Sequence, residues 1–303
     1  MVTMQTTAQV TIGDCVDSYR RHLSSVASPN TVRVYVQGVE QLQSYLGTMG
    51  MPVVVANIRA EHVEMFLKDQ RERLSAATAA TRHMALRRFF GWLQEQSEIT
   101  TSPMARLSPP KVTAPVVEIL STDDLRRLLA AAKGRGFEER RDYATLRLFL
   151  DTGLRVSEMA GIRLDALDLD DRTLRVTGKG DKKRTVYLGK KSVEAIDAYL
   201  RARRRRPHAD SPMLWLSSKG PLTVSGVRQA VQRSGRQAGL GHIWPHQLRH
   251  TFCHDWLMAG KSEGALVRQA GWSGRKMLER YAAAGADSRA KEEHRQFSPG
   301  DAI

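Results

Sequence analysis

The sequence predicts a mainly α-helical protein with a small β-sheet, divided into an all-helical N-terminal domain and a mixed α+β second domain. Three observations predict it. Apolar residues recur at helix spacing from Thr11 to Leu107, prolines interrupt the chain between Ser108 and Pro115, and two strand-like runs flank a Gly, Lys and Asp turn in the second half. At 303 residues the chain is long enough for two domains that each bury a core.

Ile12, Val16, Tyr19 and Leu23 define a first helix, and Val32, Val39, Leu42 and Leu46 a second, with Ser28-Pro29-Asn30-Thr31 as the start signal between them. Further helices are expected over Ala60–Arg73 and Ala79–Gln96, the latter carrying Met84, Leu86, Phe89, Phe90 and Leu93. The prolines that follow cannot continue a helix, which places the first domain at residues 1–110, a linker at 111–120 and the second domain at 121–303. Ser121-Thr122-Asp123-Asp124 caps a new helix with Leu125, Leu128 and Leu129 on its buried stripe, and another runs from about Arg141 to Leu150. Leu174–Thr177 and Arg184–Leu188 read as a β-hairpin. Helix resumes over Ser192–Arg206 and ends in an arginine run that is either a solvated helix end or a phosphate contact. From Asp287 the chain reads as a charged, loosely held helical tail with a frayed end.

Charge narrows the function. The formal net charge is +15, and residues 1–110 carry 11 Lys and Arg against 9 Asp and Glu, so +13 of it falls on residues 111–303. Such a concentration of one sign points to a polyanion, with nucleic acid favoured over a membrane surface. No apolar stretch is long enough to span a bilayer, and the polar start Met1–Val10 lacks the features of a secretory signal, so a cytoplasmic protein is expected. Cys15 and Cys253 are far apart and read as reduced thiols. No metal-binding spacing occurs; Asp168, Asp170 and Asp171 read as a solvated turn, and neither metal nor cofactor is expected.

Four segments carry groups suited to phosphate chemistry, which without metal needs fixed cations, a proton donor and a nucleophile. Asp151-Thr152-Gly153-Leu154-Arg155-Val156-Ser157-Glu158 sets Arg155 after a glycine break, where its guanidinium can fork onto a phosphate; taken alone it would be an ion pair with Glu158. In Pro245-His246-Gln247-Leu248-Arg249, a helix started by proline puts His246 and Arg249 three apart on one face, and His250 reads as packing or a local hydrogen bond. The hairpin turn Thr177-Gly178-Lys179-Gly180-Asp181-Lys182-Lys183-Arg184 lacks the pattern of a nucleotide-binding loop, but Lys179 at its tip could reach a leaving oxygen. The last segment is Ala270-Gly271-Trp272-Ser273, followed nine residues after the tryptophan by Tyr281; a tyrosine so placed is by itself most often half-buried packing.

In order, spacing and context over roughly residues 10–290, these segments together resemble the tyrosine recombinase (phage integrase) family, most of all its Xer-like and integron/phage integrase members. The resemblance implies that Arg155 and Arg249 clamp the scissile phosphate, Lys179 protonates the departing 5′-oxygen, His246 assists proton transfer and Tyr281 forms a 3′-phosphotyrosyl intermediate. Glu158 would fix its neighbours. Members of this branch usually have histidine where this chain has Trp272, which can orient a phosphate through its indole N–H but cannot shuttle a proton. The N-terminal helices resemble the family's core-binding (SAM-like) domain, which closes over DNA opposite the catalytic domain. Arg82, Arg87 and Arg88 there either line a groove or form a solvated face.

What the resemblance implies as partners is double-stranded DNA and a homo-tetramer assembled on it from monomers or dimers, with a partner recombinase or accessory DNA-bending proteins besides. A tyrosyl phosphate keeps the energy of the cleaved bond, so rejoining needs neither ATP nor metal. Two other readings stand beside recombination: a type IB topoisomerase using a similar set of residues on one duplex, and a DNA-binding regulator that keeps the fold without the chemistry.

Overall fold

The computed structural model describes residues 9–110, 118–178, 181–272, 274, 277–278, 290–291 and 294–302. Lys179 and Tyr281 lie outside the described residues. The architecture is mainly helical with two small sheets, and the chain divides into two compact units, Met1–Pro115 and Val116–Ile303.

In the first unit, α1 (Ile12–Val26) opens on a capping box in which the Thr11 hydroxyl accepts from the Asp14 N–H and the Asp14 carboxylate accepts from the Thr11 N–H. Helix α2 (Pro29–Thr48) starts behind the Ser28 cap with proline at its first position, and α3 (Ala60–Arg73) follows. Helix α4 (Ala76–Glu95) begins three residues before the apolar spacing predicts, because the Ser75 hydroxyl accepts from the Thr78 N–H and sets the start there. Ile12, Tyr19, Leu42, Leu46, Phe66, Phe89 and Phe90 make a dry core, with Tyr19 meeting Phe89 edge-on at 5.1 Å. Burying each such ring removes enough apolar surface for about 2 to 3 kcal/mol. Met84 is exposed instead of joining this stripe, since it lies about 180° around the helix from Leu93. Arg82 is buried and donates to the Val34 carbonyl of α2, while Arg87 and Arg88 are exposed.

The second unit is built around α6 (Phe137–Thr152), preceded by α5 (Thr122–Ala132) with its Ser121–Asp124 capping box. After α7 (Val156–Ala160) come β1 (Leu167–Asp168), β2 (Thr173–Thr177) and β3 (Lys183–Tyr187), an antiparallel sheet in the order β1-β2-β3 with Thr177 opposite Lys183. Leu174, Val176 and Val186 point inward from it by strand alternation. Helix α8 (Lys190–Arg203), the short pair β4 (Leu216–Ser217) and β5 (Gly220–Pro221), α9 (Val224–Gln237), α10 (Pro245–Met258) and α11 (Glu263–Ala270) complete the unit, and α6 packs against both α8 and α10. Asp168 accepts from the Asp171 N–H in the turn before β2, and among the described residues no group of His, Cys, Asp and Glu could hold a metal ion. No helix among them is long and apolar enough to cross a membrane.

Two features of this unit position the residues of interest. Helix α6 ends on Gly153 at φ +60°, and a Cβ there would overlap the Phe252 ring of α10, so only glycine lets the turn before Arg155 close against α10. Helix α10 in turn bridges two apolar clusters. Its Leu248 belongs to the main core with Phe149, Leu154 and Tyr199, whereas Phe252, Cys253 and Leu257 join Leu266, Ala270, Trp272 and Leu278 in a smaller one. Arg249 lies at the junction.

Candidate active site

Arg155 is the N-cap of α7, with extended backbone. Its N–H donates to Glu158 Oε2 at 2.9 Å, its Nη1 to Glu158 Oε1 at 3.0 Å and its Nη2 to the Gly271 carbonyl at 3.2 Å. The side chain keeps 35% of its surface exposed. Arg249, on the first turns of α10, is 2% exposed; its Nη1 donates to the Gly153 carbonyl and its Nη2 to the Ala270 carbonyl at 2.8 Å, and its guanidinium lies 5.7 Å from the Trp272 ring centre. Both guanidiniums therefore converge on the last carbonyls of α11, where the helix dipole favours positive charge.

A third guanidinium completes this pattern. Arg184, inward-facing on β3, donates from Nε to the Gln269 carbonyl at 3.2 Å and forks both Nη atoms onto Glu158, at 2.8 Å to Oε1 and 3.0 Å to Oε2. Three consecutive carbonyls, 269, 270 and 271, each accept from a different arginine carried by β3, α10 and the start of α7. Sequence reading placed Arg184 at the hairpin and gave it no role. The signal was its spacing of two residues from buried Val186, which puts a charge on the inner face of the strand.

The electrostatics follow from this crowding. Burial raises the Glu158 carboxyl, but the Arg184 hydrogen bonds, the Arg155 N–H and the charges of both guanidiniums outweigh it, and the group lies below its ordinary range. His246 sits in the first turn of α10, open to solvent on one side and with its ring 6.2 Å from that of His250. Desolvation, then the charges of Arg249, Arg155 and Arg228, push its imidazole below its ordinary value. Arg228, on α9, is a second cation that sequence reading did not single out. Burial pushes the Cys253 thiol up to about 12 against the pull of Arg249, so it stays protonated and is no nucleophile.

Of the six residues singled out from sequence, the structure thus brings together Arg155, His246, Arg249 and Trp272. Trp272 is 7% exposed and forms part of the small cluster beneath Arg249. After β2 the Gly178 N–H donates to the Lys182 carbonyl at 2.9 Å, and a cavity of about 1020 Å³ is lined by Arg155, Gly178, Lys182, Arg184, Trp256 and Trp272 among others. Such a group, with cations fixed before any ligand arrives, can stabilise charge on phosphate oxygens without reorganising.

A profile of the phage integrase family matches residues 118–287, and one of the phage integrase N-terminal SAM-like domain matches residues 16–97. The tyrosine recombinase XerC of Thermodesulfovibrio yellowstonii is 32% identical over 240 residues, covering 77% of this chain and 78% of that protein. Among solved structures, the XerH site-specific recombinase bound to a palindromic difH substrate in a post-cleavage complex is 19% identical, with 94% of this chain and 84% of that one covered and a TM-score of 0.76. A lambda integrase tetramer bound to a Holliday junction is 18% identical, with 91% and 78% covered and a TM-score of 0.71. At these identities the two structures speak to the fold.

Proposed function

The chain belongs to the phage integrase family, and from that premise we propose that it is a site-specific recombinase that cleaves and rejoins double-stranded DNA through a 3′-phosphotyrosyl intermediate on Tyr281, without metal or ATP. The observation that supports this most is the meeting of Arg155 and Arg249 on adjacent carbonyls of α11, with His246 within reach of both their charges.

In the proposed reaction the Tyr281 hydroxyl attacks phosphorus and the bond to the 5′-oxygen breaks. Arg155 and Arg249 hold the charge that gathers on the non-bridging oxygens, as preorganised donors whose removal costs about 10² to 10³ in rate each. Lys179 gives its proton to the departing 5′-oxygen, and His246, kept neutral by desolvation and then by its cationic neighbours, takes part in moving the tyrosine proton. Trp272 packs beneath Arg249 and orients it. Attack by a 5′-hydroxyl of another strand reverses the step with one phosphate ester exchanged for another, so no energy source is consumed. Residues 1–110 act as the core-binding domain, 111–120 as linker and 121–303 as the catalytic domain with a helical tail; the protein works as a homo-tetramer on DNA, in the cytoplasm, with a partner recombinase or DNA-bending proteins as further partners.

The test uses nicked duplexes selected from a randomised library by binding to the full chain, followed by denaturing electrophoresis. Protein covalently joined to DNA is expected for the wild type and absent for Tyr281→Phe. Transfer of the attached strand to a second duplex separates recombination from the nicking and resealing of one duplex. An adduct that persists in Tyr281→Phe would remove Tyr281 from the mechanism.

A further inference from the structure

We infer that Arg184 is a positioning residue of this site, which neutralises Glu158 so that Arg155 keeps its charge for the phosphate; the inference rests on the chemistry proposed above. Two arginines share one carboxylate here, and they do so unequally. Arg184 takes both oxygens in a fork, while the Arg155 side chain reaches only Oε1. A bidentate pair is the stronger and more directional of the two arrangements. It is also the deeper one: the side chains of Glu158 and Arg184 are 2% and 15% exposed, against 35% for Arg155.

The slot around the pair is built for it from two other elements. A Cβ at Gly271 would come within 2.6 Å of the Arg184 guanidinium carbon, and one at Gly178 within 3.2 Å of Glu158 Oε1. The third contact, from Arg184 Nε to the Gln269 carbonyl, ties the fork to the same helix end that Arg155 and Arg249 grip. A buried carboxylate that loses its main cation must find another or accept a proton. Without Arg184 the nearest replacement is Arg155, which would turn its fork onto Glu158 and away from the phosphate. Arg184 thus acts on the reaction through Arg155 and touches no reacting atom itself.

The experiment compares Arg184→Gln, Arg184→Lys and the double variant Glu158→Gln with Arg184→Gln, in the full chain on the selected nicked duplexes. Adduct formation is timed at saturating DNA, affinity is measured by titration, and thermal unfolding is followed for each protein. Arg184→Gln is expected to slow adduct formation by about 100-fold, the scale of a lost charge-stabilising donor, with DNA affinity changed by less than about threefold. Arg184→Lys, which keeps the charge without the fork, should fall between it and the wild type. Removing the stranded carboxylate in the double variant should recover at least about tenfold of the loss. A merely structural arginine lets the double variant recover thermal stability while the rate per folded molecule is the same in all variants, so a double variant as slow per folded molecule as Arg184→Gln, or an unchanged rate in Arg184→Gln, overturns the inference while the catalytic reading stands. A wild-type chain that binds the duplexes and forms no adduct overturns both.

Discussion

The end of α8 and the end of α11 both set buried arginine against backbone carbonyls. Arg203, 4% exposed, donates from Nε to Leu214, from Nη1 to Ala209 and from Nη2 to Ser211 and Met213, all within the segment that follows its own helix. One guanidinium there holds one loop. At α11 the ratio is inverted, since three guanidiniums from three elements meet one helix end, and two of them share Glu158. Burial and carbonyl bonding are common to both regions and so mark neither as a site. What distinguishes the second is convergence: three like charges gathered around one carboxylate and one helix end, an arrangement suited to binding an anion.

The largest expected effect separates the two regions outright. Arg249→Ala should abolish most adduct formation, by about 10³-fold or more. Arg203→Ala should instead take the arginine donor from the Ala209, Ser211 and Met213 carbonyls, Leu214 keeping the Tyr199 hydroxyl, and cost about 3 kcal/mol of stability, read as a lower urea midpoint, while the rate per folded molecule stays near that of the wild type. If Arg203→Ala were to lose the chemistry while still folded, the distinction would fail.

Next comes Arg155→Ala. Because its side chain is one-third exposed and Glu158 retains Arg184, the urea midpoint should hardly move, whereas adduct formation should drop by about 10²-fold. A stability loss as large as that of Arg203→Ala would mean that Arg155 is a strut of the fold and not part of a clamp.

Much of this comparison could be read from sequence, and the unread part has a physical reason. The caps Ser28 and Ser121, the apolar spacing of Tyr19 and Leu23, and the alternation around Val176 and Val186 are local signals, and the elements they predict are present. Arg155, His246, Arg249 and Trp272 stood out because each sits in a recognisable segment. Arg184 and Arg228 did not, since their importance lies in contacts across 26 residues to Glu158 and in a charge felt at His246 from another helix. The arginine run at the end of α8 was ambiguous for the same reason: which carbonyls or phosphates an arginine meets is decided by tertiary packing.

Gly153→Ala tests how the α11 region is held. The αL backbone and the overlap with the Phe252 ring should together cost about 2 kcal/mol or more, and the rate should fall too, since the same turn carries Arg155 and supplies the Gly153 carbonyl to Arg249. A matched Gly239→Ala, also at positive φ but with open space around its Cβ, should cost less and leave the rate unaltered.

The smallest effect is a shift along the pH axis. Desolvation and the charges of Arg249, Arg155 and Arg228 hold the His246 imidazole below its ordinary value of 6.5, so at pH 7 the ring is neutral and able to accept a proton. The rate should be retained above that lowered value and fall as the pH drops through it. Stability carries the same sign: the unfolded chain takes up this proton first as pH falls below 6.5, so the folded state weakens from there down to the folded value. Arg228 is exposed and belongs to neither the clamp nor the fork, which makes Arg228→Gln the cleanest probe. It should move the acid limb of the rate profile upward in pH, toward 6.5, without lowering the plateau, and an NMR titration of the His246 ring protons should move with it. A limb that begins at or above 6.5, or that ignores Arg228→Gln, would show that the cations gathered at α11 and α9 do not tune His246.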